Sequence, residues 1–169
     1  MDFRPIAAED IPQLLEATVD NVNWGGTDRL TVKDVLDNSR LSQYATGFRI
    51  DRDWGFAAVE EGKVIGLGWV QFFQEESPGY GFVSSDVPEL SINIDKDFRR
   101  QGFGTQLLEV IVNHARKKGC TSISLSVEDG NPAIKLYEKF GFRPVSREGN
   151  SQTMILSIQF LNTSVMSMH

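Results

Sequence analysis

Residues 99–108 read RRQGFGTQLL. Two arginines precede two glycines set one residue apart, and an apolar pattern of helical period follows at once. Leu107, Leu108, Ile111, Val112 and Ala115 hold one stripe of a helix that runs from Gly104 to Lys118. Glycine lets a ligand approach the backbone closely because no Cβ intervenes. The first amides of a helix lack intrahelical partners and carry the positive end of its dipole. Such a turn either cradles an anion, a phosphate above all, or is a plain strand-to-helix turn that glycine eases.

The flanking pattern sets the context. ELSINI, residues 89–94, alternates strictly, so Leu90, Ile92 and Ile94 face one way and Glu89, Ser91 and Asn93 the other. Gly119 stands where a left-handed helix cap belongs. TSISLSV (121–127) alternates again as a strand, with Glu128 and Asp129 in the turn beyond it. NPAIKLYEKF (131–140) reads as a helix capped by Asn131 with Pro132 in its first position. GFRPVSR and SQTMILSIQF (151–160) are two last strands around the turn EGN. Toward the N-terminus, DFRPI is a strand and residues 8–22 a helix, with Pro12 in its first turn. Thr31 caps a short second helix over 31–39, and residues 54–73 form a hairpin around EEGK. The stretch 74–88 is a loop.

The order is therefore β-α-α-β-β-β-α-β-α-β-β, an α/β (α+β) chain without repeats. It implies one domain over residues 1–160 and a loosely ordered tail over 161–169, whose His169 takes no catalytic role. His114, mid-helix on the flank of its stripe, takes none either.

With 169 residues the chain buries a sizeable core without staples. Its single cysteine, Cys120, excludes an internal disulfide and a cysteine-cluster metal site, and no metal is expected. A net charge of −6 argues against nucleic acid as partner. No stretch approaches the ~20 apolar residues of a membrane span. The N-terminus shows no secretory signal, so a cytoplasmic location is expected.

Spacing tests whose phosphate the turn could hold. No glycine is followed by the Lys-Ser/Thr end of a Walker loop. The dinucleotide fingerprint needs a third glycine where Leu107 stands. A third pattern matches: Arg/Gln-x-x-Gly-x-Gly/Ala, here Arg99, Gly102 and Gly104, directly after an alternating strand and followed by NPAIKLYEKFGF. The pair resembles the GNAT superfamily of acyl-CoA-dependent N-acyltransferases, over the chain from Phe3 to about Phe160.

The resemblance implies a mixed, mostly antiparallel central sheet of about seven strands with about four helices, and acetyl-CoA as co-substrate. It implies that the strand before the turn splays from its neighbour and offers Ile92, Asn93 and Ile94 to the pantetheine arm. The Ile94 amide would then meet the thioester carbonyl. Arg99 opens the motif, and the amides of Arg100, Gln101, Gly102, Phe103, Gly104 and Thr105 would hold the pyrophosphate. Asn131 matches the family asparagine that contacts coenzyme A. The commonest spacing places that residue at Gly130, seven before Tyr137, so Asn131 either makes the contact or only caps its helix. Tyr137 matches the tyrosine beside the sulfur, a general acid whose reference pKa of ~10 exceeds that of a thiol. Glu89 matches a glutamate that takes the amine proton, directly or through water. Where some relatives carry a glutamate on the next strand, this chain has Ser126.

The implied reaction is acetyl transfer from acetyl-CoA to a primary amine of a small molecule or peptide by direct attack, in a monomer or homodimer. Trp24, Asp20, Asp28, Asp34, Asp37, Trp54, Glu75, Glu76 and Tyr80 lie in the acceptor regions. They suit a cationic amine; the same composition also makes an exposed, soluble surface. Two other classes compete: an acyl-CoA-binding sensor without turnover, against which Tyr137 and Glu89 speak, and a dinucleotide-binding oxidoreductase, against which Leu107 speaks.

Overall fold

The computed structural model describes residues 1–158. Seven strands form one sheet in the order β1-β2-β3-β4-β5-β7-β6. They are β1 (Asp2–Pro5), β2 (Trp54–Glu60), β3 (Lys63–Gln71), β4 (Glu89–Ile94), β5 (Ser122–Glu128), β6 (Arg143–Glu148) and β7 (Ser151–Ser157). Every neighbouring pair is antiparallel except β4 and β5. The α-helices are α1 (Ile11–Val22), α2 (Val32–Asp37), α3 (Ser39–Thr46), α4 (Phe103–Lys117) and α5 (Ala133–Phe140). No helix among the described residues is long and apolar enough to cross a membrane. The expected tail 161–169 and the last two residues of the expected final strand lie outside the described residues.

The expected strands are all present. The helices number five where about four were expected, because α3 lies almost wholly in residues 40–53, to which the sequence pattern assigns no element. Thr31 does cap α2: its hydroxyl accepts from the Asp34 amide at 3.1 Å, and the Asp34 carboxylate accepts from the Thr31 amide at 2.9 Å. Asn38 then ends α2 and opens α3 at once, its side chain accepting from the amides of Arg40 and Leu41. Glu61 and Gly62 both take positive φ (48° and 78°), the two-residue turn whose twist suits the β2–β3 hairpin.

Two apolar layers flank the sheet. On one face α4 buries Leu107, Leu108 and Ile111 against Ile123, Leu125 and Met154. Burying each such side chain contributes about 1.5–3 kcal/mol, and truncating Ile111 to Ala would cost about 2–5 kcal/mol. A Cβ on Gly68 of β3 would run into Ile111, so that glycine lets α4 press onto the sheet. Gly119 (φ +83°) ends α4 as expected, with the Cys120 amide donating back to the Ala115 carbonyl at 3.0 Å. On the other face α1 packs on α3 and β4. Leu14, Ala17, Ala45 and Phe48 meet Leu67 and Trp69 there.

Candidate active site

The sheet has one gap. β4 and β5 pair only at Glu89 and Ser124, where the Ser124 amide donates to the Pro88 carbonyl at 3.0 Å. Beyond that pair β4 continues along β3 in unbroken register to Ile94. The Asp95 amide donates to Ile65 of β3. By strand alternation the amides of Ile92 and Ile94 therefore point away from β3, into the gap. The splay expected before the glycine turn is thus present, without a bulge in the β3–β4 register.

The turn itself is a concavity of amides. Arg100 (φ +61°) and Gly102 (φ +86°) are both left-handed, and Gly102 caps α4 with no side chain. The first helical bond runs from the Gln106 amide to the Gly102 carbonyl. Among the described residues, the amides of Arg100, Gln101, Gly102, Phe103, Gly104 and Thr105 have no hydrogen-bond partner. Such a set forms an anion-binding nest. Gly104 is helical, and a Cβ there would meet only Leu136 at 3.6 Å and Ile94 at 3.9 Å, ordinary contacts. The folded chain therefore does not itself require glycine at 104. The bare backbone leaves a cradle that a larger side chain would fill, as a pyrophosphate site needs.

Arg99 points elsewhere than into the nest. Its Nε donates to the Ile94 carbonyl at 2.9 Å and its guanidinium pairs with Asp20 at 2.5 Å. Asp20 also accepts from the Asn93 side chain at 2.7 Å. The end of α1 is thereby tied to β4 at one lip of the gap. At the other lip Arg29, in the α1–α2 loop, pairs with Glu128 at 2.6 Å, and the Trp24 indole donates to the same carboxylate at 3.2 Å. Glu128 is the last residue of β5 rather than part of the following turn, and Arg29 holds its pKa below the ordinary value. The α1–α2 loop therefore straps the gap on the α1 face.

The Asn131 side-chain oxygen accepts from the Ala133 amide at 2.9 Å, so it does cap α5, which starts one residue later than expected. Tyr137 lies on the α4 face in the same apolar cluster as Ile92 and Ile94, its ring 5.7 Å from that of Phe142. Burial pushes its phenol above the ordinary value. Its hydroxyl makes no hydrogen bond among the described residues.

Glu89 faces the other way, as the alternation requires, and is 3% exposed. One carboxylate oxygen accepts from the Tyr44 hydroxyl and the other from the Gly81 amide at 3.1 Å. Burial drives its pKa up to about 7, although both hydrogen bonds and nearby Arg40 favour the ionised form. Beside it across the strand pair, the Ser124 hydroxyl is buried with no partner among the described residues. Sequence reasoning missed Tyr44, Gly81, Ser124 and Arg29, and it placed Asp20 in the acceptor region without its ties to Arg99 and Asn93. Nothing local marks them: Tyr44, Arg29 and Asp20 act on residues far along the chain, and Gly81 meets Glu89 only because the loop folds back over β4. Among the described residues no cluster of three His, Cys, Asp or Glu side chains could hold a metal ion.

Residues 28–142, more than half of the chain, match the model of the acetyltransferase (GNAT) family. The chain is 32% identical over 80 residues to a mycothiol acetyltransferase of Corynebacterium aurimucosum, covering 47% of this chain and 24% of that protein. It is 29% identical over 101 residues to the ribosomal protein bS18-alanine N-acetyltransferase of Escherichia coli, covering 59% and 62%. The chain thus spans less than two thirds of either relative. A putative acetyltransferase from Salmonella typhimurium, solved with its cofactor acetyl-CoA, shares the fold. Its TM-score is 0.68 at 20% identity, over 94% of both chains.

Proposed function

The chain belongs to the acetyltransferase (GNAT) family, and from that premise we propose that it transfers the acetyl group of acetyl-CoA to a primary amine of a small molecule or peptide by direct attack. The observation that carries the reading is the gap between β4 and β5. It runs from the nest at the head of α4, past the open amides of Ile92 and Ile94, to the buried carboxylate of Glu89. The names of the two relatives point to different molecules, mycothiol and the alanine of a ribosomal protein. What they share is acetyl transfer, and the amine is the acceptor class proposed here.

Bound acetyl-CoA would supply an activated thioester. The amides of residues 100–105 bind and orient its phosphates. The Ile94 amide donates to the carbonyl oxygen as charge develops there. Tyr137, protonated because it is buried, delivers a proton to the departing sulfur. Glu89 accepts the proton that the amine loses. Its burial makes water the carrier, and the unpartnered Ser124 hydroxyl offers that water a second hydrogen bond.

A melting experiment joined to a turnover assay tests this. A ligand at a hundred times its Kd stabilises the fold by ~2.7 kcal/mol, and a chain of this size melts ~2–4 °C higher per kcal/mol. Acetyl-CoA should therefore raise the melting temperature by roughly 5–11 °C, with coenzyme A close behind and NAD far below. Thiol release with members of an amine panel completes the case. A shift without any thiol release would leave a binding module in place of an enzyme.

A further inference from the structure

The base assignment leaves one buried group unexplained. Tyr44, on α3, packs its ring edge-on against Phe73 with centroids 5.1 Å apart, and its carbonyl accepts from the Trp69 indole at 2.9 Å. Its hydroxyl does two things at once. It donates to the Glu89 carboxylate, and it accepts from the Tyr80 amide at 2.7 Å. The next amide, that of Gly81, donates to the other oxygen of Glu89. A Cβ on Gly79 would run into the Glu89 carboxylate and come within 2.7 Å of the Tyr44 hydroxyl. A Cβ on Gly81 would lie 2.6 Å from the Leu125 backbone. Bare backbone at 79 and 81 thus lets the loop press onto both the carboxylate and β5. Arg40 holds the same loop from α3: it donates to the Gly79 carbonyl at 3.3 Å, lies 3.9 Å over the Tyr80 ring, and pairs with Glu148.

Resting on the reading of Glu89 as base, we propose that Tyr44 is a positioning residue that fixes the Glu89 carboxylate and sets the pH at which it works. The groups around the carboxylate admit few other controls. From α3 come Tyr44 and Arg40, the latter neutralised in part by Glu148 of β6. From the loop come only backbone amides. From β3 and β5, at the paired positions, come the uncharged Gln71 and Ser124. Burial disfavours the ionised carboxylate, and the Tyr44 hydrogen bond opposes that effect more than the Gly81 amide or Arg40 does. A phenol as donor has a further consequence. Burial and the neighbouring carboxylate both raise the pKa of Tyr44, so the phenol keeps its proton and cannot replace Glu89 as acceptor.

The experiment is the pH dependence of kcat/KM for Tyr44→Phe beside the native protein and Glu89→Gln. Removing a hydrogen bond to an ionised group should move the acidic limb upward by about one to two pH units. The high-pH plateau and the KM for acetyl-CoA should stay as they were. A uniform loss at every pH, or an unmoved limb, would overturn the proposal. The base reading fails separately, if Glu89→Gln keeps the native profile. A direct readout accompanies the kinetics: 13C NMR titration of the Glu89 carboxyl in the free protein, identified by its absence in Glu89→Gln, should show the same upward displacement in Tyr44→Phe. 3-Fluorotyrosine at position 44 retains the shape and folding of the site while donating more strongly, and should move both midpoints down. Midpoints that ignore the fluorine overturn the proposal even where the phenylalanine variant does not fold.

Discussion

Asp20 and Arg99 form a 2.5 Å ion pair that joins the last turn of α1 to the residue opening the glycine turn, and the same aspartate holds the Asn93 side chain. Both partners are close to half exposed, so the pair itself contributes at most about 1 kcal/mol. Asp20→Ala should lower the melting temperature by no more than ~2–4 °C. It should weaken acetyl-CoA binding several-fold, because Arg99 then no longer ties the Ile94 carbonyl to α1. Calorimetric titration of the folded variant checks this. Unchanged affinity would reduce the pair to a surface contact.

Gly104→Val fills the cradle at the head of α4. The neighbours at 3.6 Å and 3.9 Å tolerate a Cβ, so the fold should persist. Acetyl-CoA affinity should fall by an order of magnitude or more, about 1.4 kcal/mol at the least. Near-native affinity in titration of the folded variant would remove the nest from the mechanism.

Tyr137→Phe removes a hydroxyl that bonds no described residue, so stability should hold. Turnover should drop ~10²-fold or more, the usual scale for a general acid, with acetyl-CoA affinity little changed. Turnover equal to that of the native protein would leave Tyr137 a packing residue of α5.

Glu89 also makes stability depend on pH in a sense opposite to most carboxyls. Its pKa rises on folding from 4.5 to about 7, so between those values the folded chain binds the proton more tightly than the unfolded one. Stability therefore declines as pH climbs through that window, by on the order of 3 kcal/mol. The half-buried His114, whose pKa is lowered, adds the opposite slope below pH 6.5. The difference between native and Glu89→Gln proteins isolates the carboxyl. Denaturant titrations should show the variant gaining on the native protein as pH rises from 5 to 8. Parallel curves would contradict the buried carboxylate. Its turnover should be lowest near neutral pH and recover partly at high pH, where the amine deprotonates unaided.

The parts of this site that were legible in the sequence are local. The glycine turn, the alternation of residues 89–94, the Thr31 cap and the left-handed Gly119 each follow from a few adjacent residues. α3 escaped because it is eight residues long and Asn38 serves two helices, so no loop separates them. Tyr44, Arg29 and the pairing of Asp20 with Arg99 escaped for a different reason. Their roles are pairings across 45, 99 and 79 positions of sequence, fixed only when the sheet and helices assemble. The burial of Glu89 belongs with these, since β4 alone cannot reveal that the loop at 79–81 closes over it.

The single pairing of β4 with β5 also has a mechanical meaning. Within the sheet, β1–β4 and β5–β7 are two blades riveted at Glu89 and Ser124, and everything beyond the rivet is lever arm. If the blades spread or close by a small angle, Ile94 and Glu128 at the tips travel furthest, and Glu89 hardly moves. The proton acceptor sits at the pivot, where its distance to the proton it must take is least disturbed. The straps from Asp20 and Arg29 sit at the tips, where small forces have the greatest leverage on the width of the slot.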